Sequence, residues 1–576
     1  MTQLPRKHPL VPLLLLLSGG SVTAHDHTRP AAGDRLAQAG LSRPVTVASG
    51  VVERPGTLRL RLQDAETREP RHGLVRITPL ERAGGPLALD GLFERPGGWY
   101  SAPQACELRL PRGKFQVEAV HGVDTTIARA VVDFTDALRH ELALPLHRFY
   151  RPEGRRLRST NTHLHLILDA HEKMGVPLGH RRDADNYLQV VGGSDGLDLV
   201  YVSYLTRPDT PYVSNEYTDA DLAGFSRGPT RFANGVEHRH GGTRVQTDGT
   251  PSVAGPDVAM SYGHVLLLDL ARRTMPASLG PGLSEDRGAT DGVPLRTGMI
   301  DARQQGAGVI WCHGTQGLED IPNWVAGLIH AQNIYDGGNE GVFDNVYYPY
   351  LNAGFRVPFS TGTDWGVTDF SRVYVDSPAA FSSKIFLQKL AEGRTFITNE
   401  PLLEFTVGDS APGDTVRLGE PGRLQVRGRA VGRSDFVRVQ LVVNGRIVRE
   451  AASRPVAGHF EAEIDAAVDV RESGWLALRI SPTLRYDIRS RYSGPGTNIL
   501  GKAIFAHTSP VYVAVAGRPV FDAASVGQLH AQVRAARQTV LTRGAFASAA
   551  ERDGILRIYD EAAAALRARS PASEER

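Results

Sequence analysis

The sequence predicts a multidomain protein of mixed α/β and β class, with a central α/β barrel flanked by two β-sandwiches and followed by a short helical tail. Three observations predict it. Segments between 51 and 152 and between 409 and 518 alternate apolar and polar residues between Gly and Pro turns, which is the period of half-buried strands. From 153 to 408, unbroken apolar runs alternate with helix-period segments, the rhythm of strands covered on both faces. From 519 onward the chain is rich in Ala, Arg, Gln and Leu, with no proline between Ser525 and Arg569.

With 576 residues, 41% of them hydrophobic, the chain can bury several cores, and at about 150 residues per domain three or four units are expected. The 65 basic and 63 acidic residues are interspersed and leave a net charge of +2, so nucleic acid is not the expected partner. Residues 1–24 read as an export signal. Arg6, Lys7 and His8 precede the apolar run Leu10 to Leu17, and Val22-Thr23-Ala24 supplies a small-residue cleavage site. That run is shorter than the ~20 residues that span a bilayer, no cysteine offers a lipid anchor there, and no later stretch is long and apolar enough. A periplasmic or secreted protein without membrane insertion is therefore expected. In that oxidising compartment only Cys106 and Cys312 are present. They are distant in sequence, a disulfide is not favoured, and Cys312 in its apolar run reads as a small buried hydrophobe.

Taken in order, residues 25–50 are a flexible Ala-, Gly-, Pro- and Ser-rich lead-in. The N-terminal sandwich, 51–152, is carried by alternations such as Thr57 to Leu62 and Phe115 to Val120. The barrel, 153–408, has apolar runs at Leu197 to Val202, Val265 to Leu270 and Val309 to Trp311, with helices expected at Asn323 to Gln332 and Ser383 to Glu392. The second sandwich, 409–518, includes Val437 to Val443 and a hairpin turn at Asn444-Gly445. Two helices complete the tail, 519–576.

The strongest chemical signal is Asn161-Thr162-His163-Leu164-His165-Leu166. In a strand, residues i and i+2 share a face, so His163 and His165 present two imidazoles side by side while Leu164 and Leu166 enter the core. That geometry suits two adjacent positions on one metal ion. Alone, such a pair is only moderately specific. Four further residues sharpen it: Glu237 ends Phe232 to Glu237, His264 opens His264 to Leu270, His313 closes Gly308 to His313, and Asp364 follows Phe359 to Thr363. Most stand where a strand meets a loop, the place where barrel enzymes build their sites. Each has an ordinary alternative: a solvated turn for Glu237, a satisfied histidine for His264, a loop cap for His313, an Asx-turn for Asp364. The ordered set within one domain favours a shared site.

This ordered set resembles the PHP (polymerase and histidinol phosphatase) superfamily, and more closely its CehA/McbA family of metallohydrolases. The resemblance runs from about 155 to 408 and rests on Asn234 to Glu237, Gly263-His264-Val265, Tyr348 to Phe355 (YPYLNAGF), Thr361 to Asp364, Ser371 to Val375 and Gly393 to Leu402, with a weaker continuation at Ala506 to Val513. It implies a distorted, parallel PHP-type (β/α)7 barrel with metals at the C-terminal mouth. It further implies that His163, His165, Glu237 and Asp364 hold one metal, and that Glu237 bridges to a second completed by His264 and His313. Two zinc ions suit this histidine-rich set, with manganese or iron as alternatives.

The chemistry expected is an exported metal-dependent hydrolase, in which a metal-bound hydroxide cleaves an ester, amide, carbamate or phosphoester bond of a small-molecule substrate. Catalysis would centre on Glu237 and Asp364, with Arg239 and Arg372 as candidate anion-binding residues; a structural ion pair is the default role of such arginines. No Walker loop is present. His171 matches a position that helps bind a third ion elsewhere in the superfamily. The remaining ligands of that ion fall here on Tyr204, Leu205 and Gly366, so two ions are expected and His171 is read as structural or supporting. Two other groups of histidines stand apart: His238 and His240, beside Glu237, are read as supporting groups or as loop residues, and a mature terminus His25-Asp26-His27 would offer a copper-binding arrangement or a disordered end. The alternative from another class is a non-catalytic glycan- or peptide-binding protein with a structural metal site.

Overall fold

A computed structural model describes residues 55–81, 85–166, 181–206, 217–240, 262–274, 280–283, 292–312, 317–336, 343, 347–365, 369–377, 380–486 and 491–569. The export signal, the lead-in with His25-Asp26-His27, and His171 and His313 lie outside the described residues.

The first unit is two sheets sharing one apolar core. Strand Gly56–Asp64 directs Leu58, Leu60 and Leu62 inward and Arg59 and Arg61 outward. It pairs with Ala105–Leu110 and Arg139–Leu146. A five-stranded sheet centred on Gly73–Pro79 and Lys114–Val120 supplies the facing Val75, Ile77, Phe115 and Val117.

The central sheet runs, in spatial order, Phe359–Ser360, Ala331–Asn333, Gly308–Trp311, Gly263–Leu268, Arg231–His240, Leu199–Thr206 and Leu157–His165. It curls. Phe359–Ser360 pairs with Ala331–Asn333, while Asp364–Trp365, four residues on, pairs with Leu157–His165 at the other end. One short segment therefore bonds to both margins of the curl. The strands are not all parallel, in contrast to the parallel barrel expected: Gly263–Leu268 runs antiparallel to both neighbours. The amide of Tyr262 donates to the carbonyl of His240 at 3.0 Å, so the chain re-enters the sheet at the end where the previous strand left it. The two strands therefore run in opposite directions.

Beyond Leu157–His165 the same hydrogen-bonded sheet continues through Arg372–Asp376, Thr395–Thr398, Ala506–Thr508 and Gly474–Ile480 to the hairpin Arg438–Val443 and Arg446–Ala452. The sheet is thus unbroken across 408, where the sequence pattern changes. A four-stranded sheet containing Leu402–Val407, Gly422–Gly432 and His459–Val470 packs on this extension through Val426, Ala430, Leu441 and Leu478. Asn444 and Gly445 turn the hairpin with φ of 48° and 82°, the left-handed pair that such turns require.

Among the helices, Ser383–Ala391 is capped by the Ser382 hydroxyl, which accepts from the Ile385 amide. The helix expected over Asn323 to Gln332 is instead Asp320–Val325 followed by strand Ala331–Asn333. Gly327 at φ 68° ends the helical path, and the residues beyond it join the sheet. Helices Ala523–Arg543 and Ala549–Ala568, capped by Asp522 and Ser548, pack on each other and on the central unit through Leu529, Val533, Tyr559 and Leu566. No helix among the described residues is long and apolar enough to cross a membrane.

Candidate metal centre

The site forms at one rim of the curled sheet. Strand Leu157–His165 delivers His163 and His165 to the same face, both fully buried, while Leu164 turns the other way into an apolar cluster with Leu188, Val191 and Val200. The two rings lie 4.7 Å apart at 78° and bring their Nε2 atoms to 2.9 Å. Each Nδ1 faces an acceptor at 2.7 Å: Oδ2 of Asp336 for His163 and the Ser203 carbonyl for His165. Each Nδ1 therefore carries a proton, and in the neutral ring each Nε2 is a lone pair.

The neighbours of those lone pairs are carboxylates. Oε2 of Glu237 is 2.9 Å from His165 Nε2 and 4.0 Å from His163 Nε2, and Oδ1 of Asp364 is 3.6 Å from both. All four ligand atoms lie within 4.8 Å of one another. An array of acceptors cannot satisfy itself in a buried place and requires a cation. Without a metal, a proton takes that role: burial works against it, but Asp336, then Asp364 and Glu237, raise His163 to about 9. A single proton still leaves Asp364, whose two oxygens are both buried and accept no hydrogen bond. Two imidazole nitrogens and two carboxylates at this spacing fit a divalent ion.

Asp364 reaches this place through a tight approach. The amide of Thr363 donates to the His163 carbonyl at 2.9 Å and the Asn161 side-chain amide donates to the Thr363 hydroxyl at 2.8 Å. A Cβ on Gly362 would stand 2.4 Å from His163 Cβ. Only glycine lets the segment lie against the histidine strand, and Asp364 then adopts φ of 55°.

His264 joins from the antiparallel strand, with its Nδ1 2.8 Å from Oε1 of Glu237. Because that strand starts where the parallel strands end, a residue at its beginning reaches the same rim as residues at their ends. Arg239 shares the Glu237 face, is half-buried, and lies opposite His264 in register. Thus His163, His165, Glu237, His264 and Asp364 come together.

Two expectations are revised. Arg372 is not at this rim. It is fully buried, its Nε and Nη1 donate to the carbonyls of Phe370 and Asp195 at 2.8 and 2.7 Å, and it lines a separate cavity of about 490 Å³ with Arg158, Asp198 and Thr230. Nε and Nη1 are thus taken by backbone while Nη2 has no hydrogen-bond partner among the described residues, and the guanidinium faces this separate cavity rather than the metal site. His238 and His240 are in strand Arg231–His240 rather than a loop, on the face opposite Glu237, with Nε2 atoms 3.1 Å apart. Burial lowers both, His238 to about 4, and a Cβ on Gly298 of helix Leu295–Gln304 would meet the His238 ring at 2.5 Å. They are neutral packing groups. Cys312 is buried as expected, and Cys106 and Cys312 are both free, but the Cys312 sulfur also lies within 4.8 Å of ligand atoms of His163 and Asp336. Burial, followed by Glu237, Asp336 and Asp364, holds its thiol well above the usual range.

Sequence reasoning missed Asp336. The only available signal was a carboxylate soon after the mixed segment Ala331-Gln332-Asn333-Ile334-Tyr335, which is too common a pattern to single out. Compared with known proteins, the chain matches no protein-family model and no curated sequence.

Proposed function

We propose that this protein is a metal-dependent hydrolase of the CehA/McbA type, and that its curled sheet is the PHP-type barrel of that resemblance with one strand reversed. The observation that carries the reading is the buried convergence of two imidazole lone pairs with the carboxylates of Glu237 and Asp364, the latter with no hydrogen-bond donor to either oxygen among the described residues. His163, His165, Glu237 and Asp364 would hold one divalent ion. The division of Glu237 between His165 on Oε2 and His264 on Oε1 supports a second ion shared through that carboxylate, with His313 as its further ligand. Zinc suits two neutral imidazoles with carboxylates, and manganese or iron remain compatible with the same donors.

Such ions supply an activated water and polarise the bond under attack, a carbonyl or phosphorus centre. The chain's own residues do the rest. Asp336 and the Ser203 carbonyl fix the two imidazoles in one tautomer, and the Gly362 segment sets Asp364. Half-buried Arg239, on the Glu237 face, would bind an anionic group of the substrate. The basic and apolar N-terminal residues support export to the periplasm or beyond the cell, and a small molecule is the proposed substrate. Metal analysis of protein purified without chelator, with a panel of ester, amide, carbamate and phosphoester substrates assayed with and without chelator, tests the proposal. Chelator-sensitive turnover is expected. Glycan or peptide binding with bound metal but no turnover would replace it with a binding role.

A further inference from the structure

Outside the ligand set, one buried carboxylate is held as closely as any ligand. Asp336 follows strand Ala331–Asn333, is fully buried, and places Oδ2 2.7 Å from His163 Nδ1. The same oxygen accepts from the Asn333 side-chain amide at 2.8 Å. The hydroxyl of Thr162, the residue before His163, donates to the Thr361 carbonyl at 2.8 Å, with Asn333 Oδ1 3.4 Å away. Asn333 and Asp336 thus form a buried hydrogen-bonded pair on the far side of His163.

We infer that Asp336 is a positioning residue, acting through His163 to fix its Nδ1–H tautomer, aim Nε2 at the ion and strengthen it as a donor. The inference rests on the metal-site reading and deepens it. The two histidines are unequal in this respect. His165 donates to a neutral carbonyl, whereas His163 donates to a carboxylate, which draws more of the ring proton and leaves its Nε2 the more basic ligand. The geometry also decides between two uses of His163. His163, Cys312 and Asp336 lie close enough to form a ligand group of their own, yet His163 Nδ1 is already hydrogen-bonded to Asp336 while its Nε2 faces Glu237 and Asp364. The ion is held on the Nε2 side, and Cys312 does not ligate it.

The test is a Co2+ titration of chelator-stripped protein, comparing wild type with Asp336→Asn and reading both affinity and visible d–d bands. Asp336→Asn keeps the shape but replaces the carboxylate by a neutral acceptor. Its affinity is expected to fall about 10–100-fold, with shifted bands and no thiolate-to-metal charge-transfer band in either protein. Wild-type affinity with an unchanged spectrum in the variant would overturn the inference, and so would a charge-transfer band that Cys312→Ser abolishes. Failure of wild type itself to bind Co2+ would instead overturn the metal-site reading. If Asp336→Asn does not fold, the ring resonances of [15N]histidine-labelled, zinc-loaded wild type decide. A metal-bound ring with a strongly deshielded Nδ1 proton is expected; its absence would overturn the inference.

Discussion

His264 and Glu237 meet at 2.8 Å, Nδ1 to Oε1, while the other oxygen of the same carboxylate is 2.9 Å from His165. Glu237 therefore faces histidines from two strands of opposite direction, one with each oxygen. Glu237→Gln is expected to reduce bound metal and abolish chelator-sensitive turnover, because the amide removes charge on both sides at once. Elemental analysis of the purified variant checks this; wild-type metal content would show that Glu237 is not shared.

The resemblance to metal sites with three ions makes stoichiometry a separate prediction. Two ions per chain are expected at saturating metal, because the described cluster divides into one compact four-ligand set and the His264 side of Glu237. Replacing His264 with Ala should leave one ion bound. Three tightly held ions in the wild type would contradict it.

Gly362 tests the closeness of the two segments. A Cβ there would lie 2.4 Å from His163 Cβ and 2.7 Å from its backbone nitrogen, and backbone atoms cannot swing aside as a flexible side chain can. Gly362→Ala is expected to cost about 1–3 kcal/mol and to weaken metal binding by displacing Asp364. Urea unfolding with a metal titration would show both; unchanged values would mean the strap is looser than its geometry.

Much of this centre was legible in sequence because strand geometry has a fixed period. Once His163-Leu164-His165 is read as a strand, two imidazoles must share a face and Leu164 must enter the core, as it does. Glu237, His264 and Asp364 were legible as metal-type residues at expected boundaries of strand and loop. Strand direction was not legible, since Gly263–Leu268 has the same apolar pattern whichever way it runs. Arg372 misled for a related reason: composition shows a cation, but not the Phe370 and Asp195 carbonyls that occupy it. Asp336 acts through a contact 173 positions away in sequence, and no local pattern encodes such a contact.

Attachment of the first β unit to the central one rests partly on a buried ion pair. Arg95, on strand Phe93–Arg95, donates to Asp195 at the end of helix Arg181–Ser194 at 2.8 and 3.2 Å, and both side chains are almost wholly excluded from water. Removing one partner strands a buried charge, so Asp195→Ala is expected to destabilise by about 3–5 kcal/mol. The double variant Arg95→Met with Asp195→Leu should recover part of that loss. Additive losses in urea unfolding would argue against direct coupling.

Asp320 gives a pH prediction independent of the metal centre. It opens helix Asp320–Val325, is fully buried, and accepts from the Tyr350 hydroxyl at 2.8 Å while its Oδ1 has no partner. Burial raises its carboxyl to about 8, with the Tyr350 hydrogen bond pulling the other way. The unfolded chain releases this proton near the ordinary carboxylate value of about 3.9. Between those values the folded state binds more protons than the unfolded state, so this group makes stability fall as pH rises from about 4 to 8 and contributes no further slope above that. Asp320→Asn cannot ionise and lacks that slope, while its side-chain oxygen can still accept from Tyr350. Urea unfolding of both proteins from pH 5 to 8.5 isolates the effect, because other titrating groups cancel in the difference. The stability of wild type relative to the variant is expected to decline steadily across that range, by a few kcal/mol in total at about 1.4 kcal/mol per unit. A constant difference would mean that Asp320 is ionised throughout and that a bound water or an unrecognised donor satisfies Oδ1.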